Sequence, residues 1–454
     1  MQNLTKKFWR YVFASMITTF LQSAYSIVDS LFVSNFVSAT AMASINVCWP
    51  VIAVVTAIGT GIGCGGSVIM STQQGAGRQR ESNIVRSNIL VLLLAAGILC
   101  TLVMLPLLRP LLMLMGAEGD LLTDAVTYGR IMLAGGVMQV LSCGMTPLLR
   151  NDNRAVSAMS ITIGGLCVNL TCDFVSMRVL RAGVAGAAAA SVLAQTFTVV
   201  GCALVLLTEK DNPLKKDDFR ILPMYWRKIL ANMLSPFGIS LVPSLLILYH
   251  NVACMHSPEA LAVSAYALIS STIGSYRVLL IGVADGIQPL ASYTNGAGDM
   301  KGLRKIRNLS IATAVSVSVL LFVFTMATAS YYPSLFGYTG EEADLALHAV
   351  RVSAAQLIFT GLTRVTNSFF YAIGKTRYSL FMIYFDPLCM TPLMLLVLPK
   401  LLGTDGIWLT AVFTQLILDL VAVWMFCRNE KEIQRREMRQ KVSIAKSPVQ
   451  EGAM

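Results

Sequence analysis

Charged residues are scarce in this sequence of 454 residues, of which Asp, Glu, Lys and Arg together make up 13%. A soluble globular domain carries about a quarter charged residues, so the composition argues against an ordinary soluble protein. Apolar residues account for 55% of the chain, and its mean hydropathy is +0.66. The sequence therefore predicts an all-α protein that crosses a membrane many times.

Long polar segments are also missing, because only short links separate twelve apolar runs that can each cross a bilayer of about 30 Å. The runs are roughly 9–33, 42–70, 88–108, 124–149, 155–178, 183–208, 225–250, 259–290, 308–330, 344–373, 377–400 and 406–427. The first run lacks the small-residue cleavage site of a signal peptide and is long enough to span. With no room for a soluble catalytic domain, we expect no enzyme.

Metal-ligand spacing is absent as well, since none of the ten cysteines forms a recognisable ligand pattern. We therefore expect no metal centre and no cofactor.

Basic residues are unevenly distributed along the chain. Of 35 Lys and Arg residues, 27 fall in the segments that share a side with the N-terminus, and four lie in the opposite loops. Basic residues collect on the cytoplasmic side of membrane proteins, which predicts two cytoplasmic termini in a multi-pass protein of the cell membrane. This topology accounts for the net charge of +11 without a nucleic-acid partner, and membrane lipids are the expected surroundings.

A motif of small residues followed by basic residues occurs twice, as TQQGAGRQR at 72–80 and SYTNGAGDMKGLRK at 292–305. The two GAG triplets are 221 positions apart, as are Arg130 and Arg351. GVAGAAAASVLAQ at 183–195 is matched by GTDGIWLTAVFTQ at an offset of 220. A nearly constant offset indicates that one unit of six helices occurs twice.

The repeat predicts two pseudo-symmetric six-helix bundles. We expect an N-terminal lobe at 1–208, a cytoplasmic link at 209–223, a C-terminal lobe at 224–427 and a cytoplasmic tail at 428–454. Because six is even, the halves share one orientation, as in parallel-repeat transporters. Two such halves around a cleft are the common build of alternating-access transporters, so transport is expected by analogy of fold.

Several motifs occur in a fixed order along the chain. They are SIVDSLFVS in the first span, GAGR after the second, VNLTCDFV and AGVAGAAAAS across the fifth and sixth, GIQPLASYTNGAG ending the eighth and GTDGIWLT opening the twelfth. In these motifs the sequence resembles the multidrug and toxic compound extrusion (MATE) family over residues up to about 427. The resemblance implies two six-helix lobes and antiport of organic, often cationic, compounds against protons or sodium.

Acidic residues inside the spans mark candidate sites, because a carboxylate in the bilayer is costly. The resemblance implies that Asp29 and Asp173 belong to a cation site in the N-terminal lobe, with Ser191 where the family commonly has a hydroxyl. Asn169 precedes Asp173 by four residues, so both lie on one helix face. The five acids well inside spans are Asp29, Asp173, Asp285, Asp386 and Asp419.

Two carboxyl groups, an amide and a hydroxyl around one pocket suit a proton switch, because burial and a second carboxylate both favour keeping one proton. Sodium would also be satisfied by such an all-oxygen cage, so both coupling ions stay open. The alternative interpretation is that Asp29 and Asp173 are hydrogen-bonded helix-packing residues.

Candidate substrate contacts surround this site. Tyr25 lies one turn before Asp29 and Gln22 another turn back, so the Tyr25 ring is placed to meet an organic cation. Asp285 and Asp419 are further cleft candidates. The alternatives are that Asp285 reaches the membrane interface and that Asp419 pairs with a neighbouring helix.

The C-terminal lobe differs from the N-terminal one. The offset of 221 places His250 opposite Asp29. One branch of the family that the sequence resembles uses acids in the seventh and tenth spans for sodium, and those spans offer no deep acid here. The resemblance therefore implies that the N-terminal site is the coupling site. His250 is interpreted as a polar helix-end residue. Asp386, followed by Pro387, is predicted to lie where the eleventh span is interrupted.

The expected function is cation-coupled export of small hydrophobic, cationic organic compounds by a monomeric antiporter. The first alternative is a flippase for a lipid-linked precursor, which would line its cleft with basic groups, and Arg277 and Arg364 keep it open. The second is a non-transporting receptor or scaffold.

The predicted topology can be tested by labelling single cysteines introduced as Lys215→Cys and Gly340→Cys. An impermeant maleimide added to intact cells should modify position 340 and leave position 215 unmodified until the membrane is opened. Labelling of position 215 from outside in intact cells would show that the predicted topology is wrong.

Overall fold

The computed structural model describes residues 2–37, 39–208, 213, 215–259 and 261–446, and this part of the chain is helical with no strand. Sixteen α-helices are described, together with π-helical segments at Phe174–Val179 and Asp386–Met390 and a 3-10 turn at Lys216–Asp218. The helices are α1 Gln2–Phe36, α2 Ala39–Gly75, α3 Gln79–Leu114, α4 Gly119–Ala134, α5 Gly136–Asn151, α6 Ala155–Asp173, α7 Gly183–Leu207, α8 Pro223–Met255, α9 Ala262–Gly296, α10 Met300–Thr328, α11 Tyr331–Leu335, α12 Glu341–Ala354, α13 Gln356–Ala372, α14 Thr376–Phe385, α15 Thr391–Leu402 and α16 Thr404–Lys446.

Nine units within the described residues are continuous helices long and apolar enough to cross a membrane. Two bent pairs add two more, α4 with α5 at 59° and α12 with α13 at 42°. α1, with 35 residues, is also long enough to cross a bilayer. The predicted all-α, membrane-spanning fold is confirmed, although the predicted spans 124–149 and 344–373 are each broken into two helices.

The bends fall at equivalent places in the two halves, near Gly135 and Ala355. A break in a membrane helix frees backbone carbonyls, which must find other donors. The hydroxyl of Thr101 donates to the Leu133 carbonyl at 3.0 Å, and the amide of Gln356 donates to the Ser353 carbonyl at 3.0 Å. Side chains therefore satisfy backbone groups next to each bend.

The eleventh span is interrupted at Asp386, as the sequence predicts. The interruption is a π-helical segment rather than a turn that leaves the helix, and it joins α14 to α15. Pro387 lacks a backbone N–H, and the wider π turn accommodates that loss without breaking the span. The fifth span contains a similar segment directly after Asp173, and such bulges occur frequently at functional sites.

The two lobes meet through glycines that repeat at the same offset of 221. Gly61 and Gly65 of α2 lie against the backbone of α8 at Met233, and Gly282 and Gly286 of α9 lie against α1. Each pair is four residues apart and forms the small-residue face that lets membrane helices approach closely. The repeated unit therefore uses one packing device twice, once from each lobe.

The GAG triplets bring α2 and α9 into backbone contact. A Cβ atom added to Gly75 would lie 2.0 Å from the carbonyl oxygen of Tyr293, and one added to Gly296 would lie 2.0 Å from that of Thr72. The second glycine of each triplet has the left-handed conformation, with φ of 74° at Gly77 and 68° at Gly298. The first glycine thus allows contact between the lobes, and the second ends the helix.

The polar link predicted at 209–223 is hydrogen-bonded to α3. The side-chain amide of Asn88 in α3 donates to the Arg220 carbonyl at 2.8 Å, and its oxygen accepts from the Leu222 N–H at 3.1 Å. α16 runs without interruption from Thr404 to Lys446, so the predicted tail begins inside a helix. Residues 447–454 of that tail lie outside the described residues.

Gly75→Ala should destabilise the protein because its methyl group would force α2 from α9, and overpacking costs about 1–3 kcal/mol. Gly274→Ala is the matched control, since a Cβ there meets nothing within 4 Å. In detergent, we expect the unfolding midpoint of Gly75→Ala to fall by several degrees and that of Gly274→Ala to stay or rise slightly. Equal midpoints for the two variants would contradict the close contact.

Candidate functional site

A polar cluster in the N-terminal lobe joins α1 to α6. The hydroxyl of Tyr25 donates to the side-chain oxygen of Asn169 and lies 3.5 Å from Asp173 Oδ2. Asn169 Nδ2 donates to the same Asp173 oxygen at 2.9 Å. Asp173 is 0% exposed and Asn169 is 6% exposed. Tyr25, predicted as a substrate contact, is therefore a member of the acidic cluster.

The carboxyl group of Asp29 completes the cluster from α1. It is half-buried and lies within interaction range of both Tyr25 and Asp173. Asp173 Oδ1 is buried and finds no hydrogen-bond donor in the described part of the chain. Two ionised carboxylates repel each other, so a proton or another cation between them would stabilise this arrangement.

Tyr128 of α4 also lies close to both acids and is 6% exposed. No sequence pattern singles out Tyr128, because one tyrosine in an apolar span is ordinary. Ser191 is half-buried and Gln22 is exposed. Among the described residues, no hydrogen bond ties either side chain to the cluster, so the structure brings together three of the four predicted coupling residues.

Asp285 lies in the contact between the lobes, where it lines a small cavity. Its Oδ2 is 3.1 Å from Arg150 Nη1 of the opposite lobe. Beside this ion pair, the side chains of Asn151 and Gln288 exchange two hydrogen bonds of 2.9 and 3.0 Å. These pairs and the GAG contact hold the lobes together on the side that carries the N-terminus.

Asp419 pairs with a neighbouring helix, which is the alternative interpretation of this residue. Its Oδ1 accepts a hydrogen bond from the Thr363 hydroxyl at 2.9 Å, which joins α16 to α13. The side chain is 7% exposed. In this structure Asp419 is therefore buried and bonded to a neighbouring helix.

A cavity of about 150 Å³ lies inside the C-terminal lobe. Its lining includes His250, Arg277, Arg364 and Asp386. The His250 ring stacks on Tyr266 with 5.0 Å between centroids, and its Nδ1 is 2.8 Å from the Leu246 carbonyl. His250 is therefore buried beside a cavity inside the lobe, which corrects its interpretation as an ordinary polar helix-end residue.

The MatE family model matches this chain twice, over residues 14–175 and 239–396. The chain belongs to the MatE family. One match falls in each lobe, as the repeat predicts, and the sequence resemblance is confirmed. MatE proteins are membrane transporters, so the chain is a multi-pass membrane transporter and not an enzyme.

Known proteins of this family resemble the whole chain. The multidrug export protein MepA of Staphylococcus aureus is 22% identical over 418 residues, which is 90% of each chain. A crystal structure of MATE in the bent conformation gives a TM-score of 0.88 at 24% identity, with 96% of this chain and 97% of the other covered. An outward-facing multidrug resistance MATE transporter gives 0.89 at 23% identity with the same coverage. The structural matches establish the twelve-helix fold.

Breaking the Arg150–Asp285 pair should loosen the contact between the lobes. Cys64, which is 8% exposed, lines a cavity of about 40 Å³ beside this pair and serves as a reporter. A partly exposed ion pair is worth up to about 1 kcal/mol, so Asp285→Asn should raise the alkylation rate of Cys64 by up to about fivefold. Mass spectrometry of the labelled protein measures that rate.

The matched control is Asp405→Asn, which removes an exposed pair with His348 within one lobe. It should leave Cys64 labelling unchanged. Arg150→Gln should add little to Asp285→Asn, because the two residues form one interaction. Additive effects would contradict the pairing.

Proposed function

We propose that this transporter exports hydrophobic, cationic organic compounds from the cell in exchange for protons. The observation that carries the proposal is the meeting of Asp29 and Asp173 inside the Tyr25–Asn169 cluster. An acidic cluster inside a membrane lobe is a place where an inward-moving cation can be held. The similarity to a multidrug export protein supports organic compounds as the exported substrates.

The hydrogen bonds of Asn169 favour the proton over sodium. The amide oxygen already accepts from Tyr25, and the amide nitrogen donates to Asp173. A hard metal cation in a protein takes about six oxygens, so it would need the Asn169 amide oxygen and the Tyr25 hydroxyl oxygen in addition to both carboxylates. A proton needs only the two facing carboxyl groups.

Exchange follows if proton and substrate stabilise opposite conformations, because a ligand shifts an equilibrium only through its differential affinity. Each tenfold ratio of proton concentration supplies about 1.4 kcal/mol, and each net elementary charge that moves down 100 mV supplies about 2.3 kcal/mol. An exchange of one proton for one monovalent cation moves no net charge, so the proton ratio alone drives it. A second proton in each cycle would add the contribution of the membrane potential.

The family assignment bears differently on the two alternative functions, a receptor or scaffold and a flippase. A non-transporting receptor or scaffold has no support in a transporter family. A flippase for a lipid-linked precursor keeps one supporting observation, since Arg277 and Arg364 line the same cavity. Vesicle transport of a fluorescent cation separates export from lipid flipping, because a flippase would not accumulate the dye.

Asp29→Asn should abolish gradient-driven export while the protein still folds and inserts. Asparagine keeps the size and hydrogen bonding of the residue but fixes it in a neutral form. Inverted vesicles with separately imposed proton and sodium gradients measure accumulation of the fluorescent cation. Wild type should respond to the proton gradient, and Asp29→Asn should stay at background at equal abundance.

Asp419→Asn is the control, because it alters a buried acid that is bonded to Thr363. It should retain gradient-driven accumulation. Normal pumping by Asp29→Asn together with failure of Asp419→Asn would move the coupling site to the C-terminal lobe. Wild-type accumulation driven by sodium alone would overturn the choice of proton.

A further inference from the structure

The cavity of the C-terminal lobe contains two arginines. Arg277 of α9 and Arg364 of α13 both line it, and both are half-buried. In the part of the chain that the structure describes, neither guanidinium makes an ion pair within 4.0 Å or a hydrogen bond. The two side chains are close enough to repel each other.

Asp386 does not neutralise this pair. Its two carboxylate oxygens accept hydrogen bonds from Thr391 at 2.6 Å and from Gln415 at 3.2 Å. One acid facing two arginines leaves an excess of one positive charge. The cavity therefore attracts an anion.

Further donors in the lining have no acceptor. Trp408 and Thr414 line the cavity, and their Nε1 and Oγ1 atoms are buried without a hydrogen-bond partner in the described residues. Trp408 is 2% exposed and Thr414 is 0% exposed. An indole N–H can only donate, so it requires an acceptor.

The internal repeat shows that packing does not require these arginines. At the offset of 221, Arg277 corresponds to Thr56 and Arg364 to Cys143. The N-terminal lobe folds in the same way with these small neutral residues, and Thr56 accepts a hydrogen bond from Gln139 at 2.8 Å. Because an unpaired charge inside a membrane is costly, two additional arginines in one lobe indicate a ligand.

We propose that this cavity binds an amphipathic organic anion. The acid group, a carboxylate or a phosphate, lies between Arg277 and Arg364, whose forked guanidiniums match either group. The apolar part lies against Ile273 and Trp408, which also line the cavity. This site goes beyond the proposed export of cations and does not depend on which ion drives it.

The test is calorimetric titration of the purified full-length protein in nanodiscs of neutral lipid. The probes are 2-naphthoate, 2-naphthyl phosphate and (2-naphthylmethyl)trimethylammonium, which share one aromatic body. For at least one of the two anions, the dissociation constant at the cavity should be about tenfold or more below that of the cation. Arg277→Gln and Arg364→Gln should each weaken anion binding about tenfold or more, since each removes a charged hydrogen bond.

Three further variants separate charge from shape. Asp386→Asn should tighten anion binding because it removes the competing negative charge. Gly274→Leu should abolish binding by filling the cavity, since Gly274 lines it and faces open space. Lys375→Gln removes one positive charge elsewhere in the lobe, where Lys375 pairs with Glu432 at 2.6 Å, and should leave binding unchanged.

A lipid headgroup could supply the same chemistry, and a second set of nanodiscs with phosphatidylglycerol identifies that source. If phosphatidylglycerol competes with the anion probes and this competition disappears in Arg364→Gln, the site is supported with a lipid as its anion. If the lipid does not compete with the probes, a water-soluble anion is supported. Variants are compared only at equal unfolding midpoints, and Arg364→Lys, which keeps the charge, replaces Arg364→Gln if the latter unfolds. Equal affinity for all three probes, or anion binding unaffected by both arginine substitutions, overturns the proposal.

Discussion

The backbone contact between α2 and α9 is the constraint on which the arrangement of the two lobes depends. Gly75 and Gly296 leave no space for a side chain between these helices, so the lobes touch through main-chain atoms. The hydroxyl of Ser71 reinforces the contact by donating to the Pro289 carbonyl at 3.2 Å. In lipid, close van der Waals packing and hydrogen bonds replace the hydrophobic effect as the force between helices. This contact also sets the distance at which Arg150 can reach Asp285.

One folding unit used twice carries two different chemistries. The N-terminal lobe places Asp29 and Asp173 in one acidic cluster, whereas the C-terminal lobe has His250 at the position equivalent to Asp29. Arg277 and Arg364 line the cavity of the second lobe. Helix bends and glycine contacts follow the repeat, because they are set by packing. The charged residues of the two candidate sites do not follow it.

Much of the fold was predictable from the sequence, since run length and composition define membrane spans and a constant offset defines the repeat. Asn169 and Asp173 were predictable as neighbours because four residues make one turn of a single helix. The Tyr25 bond to Asn169 and the position of Tyr128 were not, because contacts between helices depend on how each helix is rotated. For the same reason, the sequence contained Arg277 and Arg364 but could not place them in one cavity.

Both candidate sites are physically connected to the contact between the lobes. α1 carries Asp29, and the same helix lies against Gly282 and Gly286 of the opposite lobe. Arg364 lines both the C-terminal cavity and the small cavity that contains Asp285 and Arg150. The element that carries each candidate site therefore also takes part in, or lies beside, the contact between the lobes. A ligand at either site would act next to the same contact, which is a physical requirement for two ligands to share one conformational equilibrium.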